Sequence, residues 1–191
     1  FGDELGAVIQ PGDLESATVK NDFIGINYYF DNFIHASKGE PMQWHSIAGL
    51  FNLDIDETAP GDRTDMGWPL TPEGLKNLLF VGIKNTEARF KFNITENGAA
   101  YDEGISEDGK CHDPRRTAYL QTHIKAIADA IAEGAPVKGY YEWSLMDNFE
   151  WALGYAKRFG IVHVDFNTQE RTIKDSGYWY AGVIADNGKN V

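Results

Sequence analysis

A carboxylate closes the alternating run Phe92-Asn93-Ile94-Thr95, and Asn97-Gly98 follows it directly. Glu96 therefore reads either as a polar strand end or as an acid held for chemistry at the edge of a sheet. Thr95-Glu96-Asn97-Gly98 taken alone is equally well accounted for as a strand running into an Asn-Gly turn. Strand alternation sorts the neighbouring candidates by face. Gly25, Asn27 and Tyr29 share one side of an earlier strand, Phe92, Ile94 and Glu96 one side of the second, and Tyr141 and Trp143 one side of a third. A carboxylate among an amide, a phenol and an indole suits a sugar. Polar groups meet the hydroxyls, a ring supports the pyranose, and an anion stands near the anomeric carbon. Trp143, Phe149 and Trp151, taken singly, read equally as core aromatics.

The elements that must position these groups repeat one logic: strand, polar loop, amphipathic helix. The first strand is 22–30, followed by a long loop to Trp68, rich in Gly, Pro, Asp and Trp, of a length that usually serves function. A helix starts at Thr71-Pro72, with Leu75, Leu78, Leu79, Gly82 and Ile83 on its buried face. The second strand, 90–96, leads to a helix capped by Asp113-Pro114, carrying Leu120, Ile124, Ile127 and Ile131 and closing at Gly134. The third strand is 137–144; a hairpin through "RFGIVHVDF" and a last helix burying Trp179, Val183 and Ile184 complete the chain. This order predicts an α/β fold with a parallel sheet. Long loops after strands and short returns from helices are the asymmetry of a (β/α) barrel, but three βα units leave two open edges and an uncovered inner face.

Composition narrows the partners. The chain has 191 residues and a net charge of −12, which disfavours nucleic acid and anionic membranes. No apolar run is long enough for a membrane span, and "FGDELGAVIQ" lacks a signal-peptide pattern. One cysteine, Cys111, points to a cytoplasmic setting. Five histidines and Cys111 show no metal-ligand spacing, and no cofactor is expected. Cys111-His112 reads as loop, and His123 as a partly exposed helix residue. The sequon at Asn93 falls inside a strand and reads as silent.

"NITENG", "GYYEWSLMDNFEWALGYAKRFGIVHVDF" and "KDSGYWY", with "DFIGINYY" and "DMGWPLTPEGL" in order before them, resemble glycoside hydrolase family 1, the β-glucosidase type. The resemblance runs from about Asp13 to the end. It implies a (β/α)8 TIM barrel that hydrolyses β-glucosides or oligosaccharides with retention. By the resemblance, Glu96 matches the nucleophile, Tyr29 the phenol bonded to it, and Asn27 a neighbouring pocket residue. Trp143 matches the ring beneath the glycone, Glu150 and Trp151 the pair on its outer hydroxyls, Phe159 a lining residue, and Trp68 the aglycone wall. Glu142 falls where the family varies and receives no role.

The family's acid/base lies in an Asn-Glu-Pro segment of the fourth strand, and no Asn-Glu-Pro occurs here. The glycone-binding Gln, His and Asn of the early strands are also missing. Residues 1–191 are accordingly expected to be the C-terminal portion of such a barrel, strands six to eight, with residues before Glu15 left from a fifth helix. The expected partner is an N-terminal barrel portion, and the lone chain is expected to be inactive. A non-catalytic remnant that self-associates or binds sugar weakly, and a purely structural barrel fragment, are the alternatives. The Glu150-Trp151 pair disfavours a 6-phospho-β-glucosidase.

Overall fold

A computed structural model of the chain describes residues 8–17, 21–36, 53–55, 61–87, 89–189 and 191. Much of the long loop after the first strand, and residues 1–7, lie outside the described residues. After a short helix α1 (Asp13–Ala17), strand β1 (Phe23–Asn27) leads into a loop holding an antiparallel pair, β2 (Ile34–Ala36) and β3 (Leu53–Ile55). Helix α2 (Pro72–Asn85), strand β4 (Lys91–Asn97), helix α3 (Pro114–Ala132) and strand β5 (Val137–Glu142) follow. The predicted hairpin is present as β6 (Val162–Val164) and β7 (Arg171–Ile173), before helix α4 (Asp175–Asp186). Strands β1, β4 and β5 form a parallel sheet in that order, so β1 and β5 are its edges.

The apolar stripes of α2 and α3 explain the packing. Leu75 and Leu79 meet Phe92, Ile94, Ile127 and Val137 in one core against the sheet. Tyr119, Leu120, Ile124 and Ile161 form a second, with Trp179 and Val183 of α4 packed onto it. The outer members of the predicted stripes, Leu78, Ile131 and Ile184, are exposed instead. The opposite sheet face, carrying Phe23, Asn27 and Tyr141, is solvent-exposed. No helix among the described residues is long and apolar enough to cross a membrane.

Two helix starts fall where the prolines place them, but the predicted caps act otherwise. Thr71 Oγ1 accepts from Asp31 N (2.8 Å) and also meets the Tyr28 hydroxyl, so it secures the segment after β1. The fully buried carboxylate of Asp113 takes Arg116 Nε (3.0 Å) and Ser176 N (2.8 Å), joining α3 to α4. His123 corrects the expectation of partial exposure: it is fully buried and stacked on Tyr119, with ring centroids 3.9 Å apart. Burial depresses its imidazole to about 4, which keeps it neutral near pH 7.

Candidate active site

Glu96 sits at the C-terminal end of β4, and a β-bulge decides which way it points. Ile24 pairs with Phe92 and Ile26 with Ile94, and all four pack toward the helices. Between Ile26 and Asn27 the register shifts, so that Asn27 pairs with Glu96 rather than Thr95. Paired residues in neighbouring strands share a face. Glu96 therefore stands with Asn27, on the side opposite Phe92 and Ile94. Strict alternation had grouped Glu96 with those two core residues, and the extra residue of the bulge overturns that grouping.

The Tyr29 hydroxyl donates to Glu96 Oε2 at 2.5 Å. Burial, and then the carboxylate accepting its proton, push this phenol well above its ordinary range. Tyr29 thus remains a donor at any working pH. Its ring lies 5.3 Å from Trp68 and 6.1 Å edge-on to Phe159, and those two are 5.9 Å apart. Phe30 stacks on Trp68 at 4.9 Å, which fixes the indole from behind. Asn27 is exposed beside Glu96 and accepts from Thr95 Oγ1 at 2.6 Å.

The loop after β5 brings Trp143 and Glu150 together: the indole Nε1 donates to Glu150 Oε2 at 3.5 Å. Glu150 is also close enough to Tyr29 for its charge to raise that phenol. Trp151 opens a short 3-10 turn, Trp151–Leu153, and is 80% exposed. Six of the eight predicted residues, Tyr29, Trp68, Glu96, Trp143, Glu150 and Phe159, are therefore gathered around one end of the sheet. Asn27 flanks them, and Trp151 stands out in solvent.

Residues that the sequence reading passed over hold this loop. Asp147, fully buried, accepts from Arg158 Nη1 (2.7 Å), Lys174 Nζ (3.0 Å) and Gly160 N (3.0 Å). Arg116, also fully buried, gives its guanidinium hydrogens to the carbonyls of Ala99, Tyr101, Arg158 and Phe159 as well as to Asp113. A spacing rule does not find such residues, because most of the partners are backbone. Among the described residues no group of His, Cys, Asp and Glu is arranged to hold a metal ion.

Glu142, given no role by resemblance, has both carboxylate oxygens buried and without a hydrogen-bond partner among the described residues. Burial raises its carboxyl well above the usual range; Arg116 and Lys174 oppose this, and Asp113 and Asp147 reinforce it. The folded chain thus binds this proton more tightly than the unfolded chain. The stability linked to it is full below the ordinary carboxyl value, about 4.3, and is lost as pH rises from there through the folded value. Glu142→Gln keeps the shape without the titration. Its urea midpoint is expected to exceed the parent's by a margin that widens from pH 5 to pH 9. A constant margin would show that the carboxyl is solvated.

The geometry can be set beside known proteins. The model of the family described as Glycosyl hydrolase family 1 matches residues 5–189. A 1,4-beta-D-glucan glucohydrolase of Thermotoga neapolitana is 46% identical over 92% of this chain, which covers 37% of that relative. A 6-phospho-beta-galactosidase of Staphylococcus epidermidis is 41% identical over 87% of this chain and is covered to 38%. The family 1 b-glucosidase of Thermotoga maritima, solved in complex with isofagomine lactam, superposes with a TM-score of 0.82 at 43% identity. That alignment takes in 92% of this chain and 37% of the solved one. The chain thus spans between a third and two fifths of these relatives' length.

Proposed function

The chain belongs to glycosyl hydrolase family 1, and from that premise we propose that it carries the nucleophile half of a retaining β-glucosidase site. The observation that carries the reading is the Tyr29–Glu96 bond at the strand ends, walled by Trp68 and Phe159. With Oε2 held by the phenol, Glu96 Oε1 is the oxygen that attacks the anomeric carbon. Its lone pair forms the glycosyl ester while the aglycone oxygen leaves with the bonding pair. Trp143 supplies the plane under the glycone, and Glu150 accepts from its outer hydroxyls. Trp68 lies toward the aglycone and Phe159 lines the pocket, with Asn27 beside the nucleophile; Trp151 would have to turn inward to join them.

Retention needs a second carboxyl about 5–5.5 Å from the nucleophile, first as acid and then as base. We place that group on an N-terminal portion of the barrel, with this chain supplying strands six to eight of the (β/α)8 fold. The two edge strands and the exposed face of Phe23, Asn27 and Tyr141 support a partner of that kind. Self-association over the same face is the competing reading.

The chain should be mixed with a polypeptide carrying the earlier strands and an Asn-Glu-Pro segment, then exposed to a 2-deoxy-2-fluoroglucosyl reagent. One fluoroglucosyl group is expected on the Glu96 peptide by mass spectrometry, and none on the chain alone. Full-rate labelling of the lone chain would overturn the division of the two carboxyls. Labelling at another residue would remove Glu96 from the role. Non-phosphorylated glucosides are the expected substrates, because Glu150 would meet a 6-phosphate with like charge. Faster turnover of 6-phosphoglycosides would reassign the glycone to the class named for the Staphylococcus relative.

A further inference from the structure

We infer that Asn97 is a positioning residue of this site: without reaching the sugar, its side chain fixes the Tyr29–Glu96 pair from behind the sheet. The inference rests on the role proposed for Glu96. Asn97 is the last residue of β4 and is fully buried, where an Asn-Gly turn was the simple reading. It pairs with Glu142 of β5 and so faces the helices, away from the sugar side.

Every polar atom of its amide has a defined task. Nδ2 donates to the Tyr28 carbonyl (2.8 Å) and to the Tyr119 hydroxyl (3.0 Å), and Oδ1 accepts from the Tyr140 hydroxyl (2.8 Å). A carbonyl only accepts, so the amide cannot be flipped. Tyr119 in turn donates to the Tyr29 carbonyl at 3.1 Å. The backbone closes the ring: Tyr28 N donates to Glu96 O, and Trp143 N to Asn97 O, both at 2.9 Å.

One amide therefore ties together the chain after β1, the ends of β4 and β5, and helix α3. The two carbonyls it governs, one directly and one through Tyr119, belong to Tyr28 and Tyr29. Gly98 follows because a side chain there would collide with the Trp143 carbonyl. An attacking carboxylate misplaced by about 1 Å loses on the order of 10²-fold in rate, so a clamp on Tyr29 acts on chemistry more than on binding.

The test uses the chain in the completed barrel, where the parent must first label Glu96. Asn97→Ala is expected to lower kcat about 10²-fold with KM changed less than about threefold. Tyr140→Phe, which removes a single hydroxyl, is expected to lower kcat by a smaller factor in the same pattern. Because Asn97 acts through Tyr29, Asn97→Ala added to Tyr29→Phe should cost much less than it does alone. Additive losses, or a rise in KM with kcat preserved, would overturn the inference. If Asn97→Ala does not fold, the Tyr140→Phe and Tyr29→Phe cycle decides by the same criterion. A parent that fails to label Glu96 overturns the functional reading and this inference with it; a parent that labels normally beside a neutral Asn97→Ala overturns this inference alone.

Discussion

In the completed barrel, Glu96→Gln is expected to lower β-glucoside hydrolysis by at least about 10⁴-fold, equivalent to about 5.5 kcal/mol of barrier. The substitution preserves shape, and the Tyr29 hydroxyl still has an amide oxygen to donate to, where it now meets Glu96 Oε2. What disappears is the anion that forms the glycosyl ester. The loss should therefore fall on kcat, with binding of a neutral sugar reduced less than about tenfold. Steady-state rates with an aryl glucoside and calorimetry with a sugar analogue separate the two. An active Glu96→Gln protein would mean that another group attacks. A parallel loss of sugar affinity would mean that the carboxylate serves mainly to bind.

The second large effect concerns stability. Arg116→Met is expected to cost about 3–5 kcal/mol, the usual result of removing one partner from a buried ion pair. With an m-value of about 2 kcal/mol/M, that lowers the urea midpoint by roughly 2 M. The methionine stem can fill part of the volume, but the carbonyls of Ala99, Tyr101, Arg158 and Phe159 lose the guanidinium, the last two keeping only the backbone donors Tyr101 N and Ser144 N. The buried Asp113 also loses its cation. Arg116→Lys should recover little, because a single ammonium cannot span five acceptors arranged around a planar fork. Equilibrium urea unfolding of the three proteins measures this. A midpoint that moves by less than about 0.3 M would show that solvent takes the place of the guanidinium.

The βα order, the parallel sheet, both proline-led helices and the hairpin were legible, because periodicity and turn chemistry report local structure directly. The residues gathered at the strand ends were found through motif resemblance more than through spacing. The direction of Glu96 was not legible: a bulge leaves no mark in an alternating pattern, and it reverses every face assignment beyond it. Asn97 misled for a related reason, since Asn-Gly marks a turn in most settings, whereas here tyrosines from β5 and α3 supply the amide's partners. His123 looked polar and exposed, but Tyr119 gives it a ring to stack on and a carbonyl to bond to at 2.9 Å. Thr71 and Asp113 were read as caps from local sequence, while tertiary partners claimed their oxygens. For Asn97, Thr71 and Asp113 the deciding contacts include residues remote in sequence, whereas His123 finds its partner one turn away in its own helix.

The bulge in β4 also has a consequence for how this segment tolerates change. Below it, Phe92 and Ile94 pack toward the helices; above it, the Glu96 side chain turns to Tyr29 and the sugar side while Asn97 turns back to the helices. A seven-residue strand thereby sends Thr95 and Glu96 to the same side in succession. Volume-conserving exchanges at Phe92 and Ile94 should leave the direction of the acid unchanged, whereas a change at Asn97 would disturb the core as well as the site. Paired without the bulge, the same residues would turn Glu96 into the core and Asn97 out toward the substrate. The bulge at Thr95, more than the identity of the residues around it, sets the direction of the acid.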